Sequence, residues 1–221
     1  KITENNARDD LVFLCGHIIV NMLDFGNNKV LTYHGSNLNN HTITIPMPAF
    51  NYCLNPKSFD DRKIKASFAG SFDTHWTRRH LWYSLRNNKN CIVKDTGAWH
   101  YYKQKNDQVS EYSNFKDLLS DSLITLAPRG TGPCTIRLWE AIESLSIPLI
   151  VSDEYDNPNL GNIDLTDMAI RISECQAQDI DNIISSFSKD YLRSKYDNLV
   201  KFTKDNYNER VLKVLKLELN K

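Results

Sequence analysis

Short apolar runs alternate along the chain with longer stretches in which apolar residues recur at helical spacing. Runs of four or five apolar residues read as buried strands, and a three-to-four spacing reads as one face of a helix. The first part of the chain predicts strands over 11–14 and 29–33. A third strand, over 42–45, alternates and is then stopped by Pro46 and Pro48. Residues 50–62 carry the turn-formers Asn55-Pro56 and Asp60-Asp61 and read as a linker. Beyond them the alternation is regular. A strand over 64–68 ends at Gly70, and a helix over 74–86 turns Trp76, Leu81 and Leu85 inward. A strand over 91–93 precedes a helix over 110–120, with Ser110 as its cap and Phe115, Leu118 and Leu119 inward. Then come a strand over 123–127, a helix over 134–145 and strands over 148–151 and 168–172. Amphipathic helices are expected over 178–188, 189–206 and 211–219.

Strand–helix alternation with short connections predicts α/β architecture, with a parallel sheet covered on both faces. Such sheets bind ligands beyond the carboxyl ends of their strands. The expected organisation is a small unit over 1–62, a larger one over 63–206, and a final helix over 207–221 that packs back on the first unit.

Composition narrows the function classes. The apolar share of 41% and charged share of 24% are those of a globular protein. Lysine plus arginine number 27, as do aspartate plus glutamate. A balanced chain offers no basic face for nucleic acid and no attraction to an anionic membrane. The cysteines Cys15, Cys53, Cys91, Cys134 and Cys175 are scattered without a CxxC, which points to neither a structural zinc nor a disulfide framework. Free thiols in a reducing compartment, cytoplasmic or another, are the expectation. No apolar run is long enough to span a membrane. The first residue is lysine, which leaves an upstream anchor open. His75, His80 and His100 lack metal-ligand spacing, so no metal site and no cofactor is expected. Asn40-His41-Thr42 forms a glycosylation sequon of the kind that often arises by chance.

The segment most suggestive of chemistry runs from Ala127 to Ile142. There a strand leads into Pro128-Arg129-Gly130-Thr131-Gly132-Pro133 and then into a helix. Gly130 and Gly132 let backbone amides approach an anion, and the helix N-terminus adds positive potential. Arg129 offers a planar fork for phosphate oxygens. Arg137 and Glu140, three apart, share one helical face, placing a cation for a diphosphate beside a carboxylate for ribose hydroxyls. The same residues also suit a simple turn followed by a helix with a surface ion pair. Neither a Walker nor a GxGxxG pattern is present.

The run Arg137-Leu138-Trp139-Glu140-Ala141-Ile142, followed by Ile147-Pro148-Leu149-Ile150 and Ser152-Asp153, resembles the C-terminal signature of the exostosin family, glycosyltransferase family 47. Matches fall in order along the chain. Asn6 to Phe13 resembles the family's G-R-D-H-F-F, and Phe68-Ala69-Gly70 with Arg78 and Leu81 resembles F-x-G followed by R-x-x-L. Tyr112 to Leu119, Ser122 and Pro128-Arg129-Gly130 follow, then Ile163-Asp164-Leu165 and Ile172-Ser173-Glu174. Departures are Asp10 in place of histidine, Leu165 in place of tryptophan, Ser146 in place of the glycine before Ile-Pro, and a shortened first unit.

The resemblance implies a GT-B fold, two Rossmann-like domains with the N-terminal one shortened. It also implies an inverting, metal-independent transfer from a nucleotide-sugar, a UDP-sugar by family weight, to a glycan acceptor. Arg78, Arg129 and Arg137 with the amides of Gly130 to Gly132 would then stabilise the leaving diphosphate. Gly70 would lie in the nucleotide-sugar site, and Asp95, Thr96 and Trp99 would frame the nucleobase. Asp153 and Glu154, just beyond a strand, would bond sugar hydroxyls. Trp99, Tyr101 and Tyr102 suit core or acceptor stacking equally. Inversion requires a base for the acceptor hydroxyl, and Asp10 is the first choice, with Asp9 and His34 as alternatives. A non-catalytic carbohydrate-binding or scaffolding protein of the same fold is the competing class. A sugar-phosphate phosphorylase or an epimerase is a third.

Overall fold

The computed structural model describes residues 12–15, 28–38, 42–97 and 115–219. Two parallel sheets are present. The smaller holds β1 (Val12–Cys15), β2 (Lys29–Thr32) and β3 (Thr42–Thr44) in that order. The larger holds β4 (Ile64–Gly70), β5 (Cys91–Asp95), β6 (Ser122–Pro128), β7 (Ile147–Val151) and β8 (Ile170–Ile172), in the order β5-β4-β6-β7-β8. All its pairings are parallel. The chain leaves β4 toward one edge for β5 and toward the other for β6, so the order reverses between β4 and β6. Right-handed crossovers then put helices on both faces, and sheets with such a reversal bind ligands in a crevice outside the carboxyl ends of the two strands that flank it.

The helices are α1 (Trp76–Leu85), α2 (115–121), α3 (Ile136–Glu143), α4 (Leu165–Met168), α5 (Ile180–Ser186), α6 (Lys189–Phe202) and α7 (Tyr207–Leu219). Strands β6 and β7 are buried almost throughout, with Ile124, Leu126, Ile147, Leu149 and Val151 at the centre of the core. Leu81, Leu85, Leu138 and Ile142 seal it from the helices. Trp76, expected inward, is 48% exposed at the start of α1. The helix expected over 134–145 is shorter, because Thr135 caps it and Pro133 precedes it.

The segment read as a linker is tightly held. Phe59 is buried in a 3-10 turn, Phe59–Asp61. The amide of Cys53 donates to Ser144 Oγ at 3.0 Å, and that of Lys57 to Ser120 Oγ at 3.1 Å. Arg62 donates to the carbonyls of Lys57, Leu119, Ser122 and Ser144. Burial pushes its pKa down, and the four carbonyls offset the cost of enclosing the charge by satisfying both terminal nitrogens. Its reach across four segments is invisible to turn propensities, which see only neighbours.

The two sheets share one apolar core, which Ile43 and Ile45 enter, and their polar contacts gather on one loop. Ser36 bridges Tyr155, the Asn37 amide donates to Glu154 O at 3.0 Å, and the Asp156 amide donates to Gly35 O at 3.1 Å. Helix α7 touches both units. Arg210 pairs with Glu143 at 2.6 Å, and Lys29 Nζ donates to Glu218 O at 3.1 Å.

Candidate active site

The crevice is built from the loops after β4, β6 and β7. Gly70 ends β4 where a Cβ would lie 2.8 Å from the Phe68 ring, so a side chain would have to displace that aromatic. Ser71 then caps a 3-10 turn, Phe72–Thr74, and His75 caps α1. Asp95, at the end of β5, accepts from the amides of Phe72 and Gly97 at 3.1 and 3.0 Å. It therefore fixes the shape of the β4 loop.

Arg78 is buried one turn into α1. It donates through Nε to Arg129 O at 2.9 Å, through Nη1 to Ser71 O at 2.9 Å and through Nη2 to Pro128 O at 3.4 Å. Burial, reinforced by nearby Arg137, pulls its pKa down to about 10, which leaves it charged at neutral pH. It fastens the β4 loop to the β6 loop. Gly130 completes this joint, because a Cβ there would lie 2.9 Å from Arg78 Nη2.

Thr131 is exposed, Gly132 is buried, and Thr135 accepts from the Arg137 amide at 3.4 Å to start α3. Arg137 donates to Ala69 O at 2.9 Å, stacks 4.1 Å from the Phe115 ring centroid and pairs with Glu140. The Glu140 side chain is fully buried, and its Oε1 is among the enclosed polar atoms without a hydrogen-bond partner. Burial raises its pKa, and Arg137 opposes the rise. Sequence spacing correctly places the two side by side. It does not show that the pair faces inward.

Beyond β7, Arg129 Nη1 lies 3.1 Å from both Glu154 and Glu174. Glu174 Oε1 also accepts from the Asp153 amide at 3.1 Å, while Asp153 Oδ1 accepts from the Glu174 amide at 3.0 Å. His75 Nε2 stands 3.8 Å from Glu174 Oε2. Arg129, Asp153 and Glu154 thus come together, and they gather two residues that the sequence-based site set lacks, Glu174 and His75. Glu174 had a signal, since it lies in the matched run Ile172-Ser173-Glu174. His75 had none beyond its capping position.

His34 follows β2, its amide bound to Thr32 Oγ1 at 3.0 Å, in the turn whose next residues touch the 153–156 loop. Asp10, Asp9, Trp99, Tyr101, Tyr102 and Ser110 lie outside the described residues. An Asp-x-Asp triplet, a pattern able to hold a divalent cation, occurs at Asp179-Ile180-Asp181. Its carboxylates are engaged by Asn182 and Asn88, the latter just past the opposite end of α1 from His75.

Comparison with known proteins places this geometry. The model of the exostosin GT47 domain matches residues 2–187. The Exostosin-1 homolog of Caenorhabditis elegans is 26% identical over 142 residues, covering 59% of this chain and 37% of that protein. Among solved structures, the pneumococcal O-GlcNAc transferase GtfA, crystallised with UDP and GlcNAc, aligns with a TM-score of 0.50 at 13% identity. That alignment covers 93% of this chain and 44% of GtfA. TarM aligns at 12% identity with a TM-score of 0.46, over 95% of this chain and 55% of TarM. The chain therefore spans about a third to a half of the lengths of these relatives. The fold is of the GT-B type, α/β with parallel sheets.

Proposed function

The chain belongs to the exostosin GT47 family, a family of glycosyltransferases. From that premise we propose that it moves a sugar from a UDP-sugar to a glycan hydroxyl, with inversion at the anomeric carbon and without a metal on the leaving group. The observation that carries this reading is the convergence of Arg129, Arg137, the Gly130 loop and the start of α3 at the carboxyl ends of β4 and β6. A diphosphate there meets two guanidinium groups and a helix N-terminus, which together stabilise the charge that grows as the sugar leaves. GtfA, of the same fold, was crystallised with UDP.

Arg129 is the cation best suited to meet the diphosphate. Its partner Glu154 is a partly exposed side chain that a ligand can replace while buried Glu174 stays in place, whereas Arg78 is bound to backbone carbonyls. Asp153 and Glu154 sit at the rim for sugar hydroxyls. Glu140 reaches a ribose only after the 50–53 segment moves, since Asn51 lies against it. The base for the acceptor hydroxyl is assigned to Asp10, with His34 and Asp9 in reserve, and the first unit is the acceptor side.

Calorimetric titration with UDP tests the donor site. Arg129→Ala should weaken binding by about tenfold or more, since a charge-assisted hydrogen bond contributes about 1.5–3 kcal/mol. An unchanged affinity would remove Arg129 from the site. Transfer should persist in EDTA, and loss reversed by manganese would overturn the metal-free mechanism. Asn51, lying against buried Glu140 where a ribose would reach it, supports a second reading, a carbohydrate-binding protein that keeps the fold without turnover. Absence of any heat with UDP would favour it.

A further inference from the structure

We propose that His75 is a positioning residue for the leaving diphosphate: it orients Glu174, and through Glu174 it holds Arg129 and the β7 loop. The inference rests on the donor-site reading above and extends it by one residue.

The argument starts from the tautomer. His75 Nδ1 accepts from the Thr77 amide at 3.4 Å and lies 3.0 Å from Thr77 Oγ1, so it caps α1 as an acceptor. In a neutral imidazole an acceptor Nδ1 leaves the proton on Nε2. Nε2 is the nitrogen facing Glu174 Oε2 at 3.8 Å. The helix cap therefore selects the tautomer that directs an N–H at the carboxylate. Glu174 uses its other oxygen for Arg129 Nη1 and for the Asp153 amide, each at 3.1 Å. Burial and the Arg129 charge press the His75 pKa below its ordinary value, which keeps the ring neutral near pH 7. A chain of contacts thus runs from the start of α1 to the cation that meets the diphosphate, its first link a dipolar contact at 3.8 Å, longer than a hydrogen bond. His75 touches neither sugar nor phosphate on this path.

Capping and positioning are separable. Asparagine is among the best caps but is too short to reach Glu174, so His75→Asn keeps the first role and loses the second. His75→Ala loses both. Three quantities are measured on the full chain at neutral pH: melting temperature, amide exchange at Asp153, and UDP affinity by calorimetry. His75→Asn should melt close to the parent and well above His75→Ala. It should also exchange the Asp153 amide faster and bind UDP about tenfold more weakly, the loss expected when one hydrogen bond to a charged group is misplaced. In a Glu174→Gln background the same substitution should add little, because the path is already cut. Unchanged Asp153 exchange in His75→Asn reduces His75 to a helix cap and overturns the proposal, whatever UDP does. Additive losses in the double variant overturn the route through Glu174. A parent chain that binds no UDP sinks the donor reading and the diphosphate half of this one, while the exchange result still decides whether His75 holds the loop.

Discussion

Arg78, Arg129 and Arg137 converge on one crevice, yet they differ in what they already hold. Arg78 is committed to three carbonyls, Arg137 to one carbonyl and a buried carboxylate, and Arg129 to one buried carboxylate and one at the rim. Position along the sequence brought all three into the candidate set. It could not rank them, because apart from Ser71 and Glu140 their partners come from distant segments. The same limit hid His75, whose neighbours Glu174, Arg129, Glu154 and Arg78 are supplied by the β6, β7 and β8 loops and by α1 itself. These surroundings make a pH prediction. The folded-state pKa of His75 is depressed below 6.5, so the unfolded chain binds this proton more readily than the folded one. Its contribution to stability is therefore complete above pH 6.5 and is lost as pH falls through the depressed value. Denaturant melts of the parent should lose stability over that window. The parent-minus-variant difference against His75→Asn should show the slope, and a flat difference would place the imidazole in a solvent-like environment.

At the level of elements, the larger sheet was legible because buried parallel strands read as apolar runs and the helices between them keep one apolar face. All five strands were anticipated to within a few residues. Ends were legible only where a local signal marked them. Gly70 closes β4 as read, but the strand expected over 168–172 starts late: Met168 ends the short helix α4, and β8 begins only at Ile170. The turn into β7 shows how an interior preference shifts a boundary. Ser146 stands where the family pattern has glycine, yet the left-handed residue is Leu145, with φ 51°, while Ser146 Oγ bonds Ser122 O and lies 2.7 Å from Thr125 Oγ1. Joints between elements were not legible at all, and Arg78 is the clearest case. Arg78→Ala leaves three carbonyls around a cavity without their donor and should lower unfolding stability by about 2–4 kcal/mol, measured by urea melts. A variant that keeps full stability but loses UDP binding would instead make Arg78 a ligand residue first and a joint second.

For the molecule as a whole, the decisive contact is the one between the 35–37 turn and the 153–156 loop. That loop carries Glu154, which pairs with Arg129, so the first unit is seated on the same segment that faces Arg129. Gly35 sits at the seam. A Cβ there would lie 1.7 Å from Thr44 Oγ1, and Thr44 Oγ1 itself donates to Asp156 Oδ2 at 3.1 Å. Gly35→Ala must therefore push Thr44 aside and break the bond that ties β3 to the loop, an overpacking worth about 1–3 kcal/mol. The cost should fall on the seam and spare the core of the larger sheet, whose strands β6 and β7 do not touch Gly35. Amide exchange resolves the two regions. Asn37 and Asp156, whose amides cross the seam, should exchange faster in Gly35→Ala, while Ile124 and Leu149 keep the parent's protection. UDP affinity should shift with the seam amides, because Glu154 moves with them. If Ile124 and Leu149 lose protection to the same extent, the two sheets unfold as one body. The seam would then be part of a single cooperative core and could not pass the position of the first unit to Arg129.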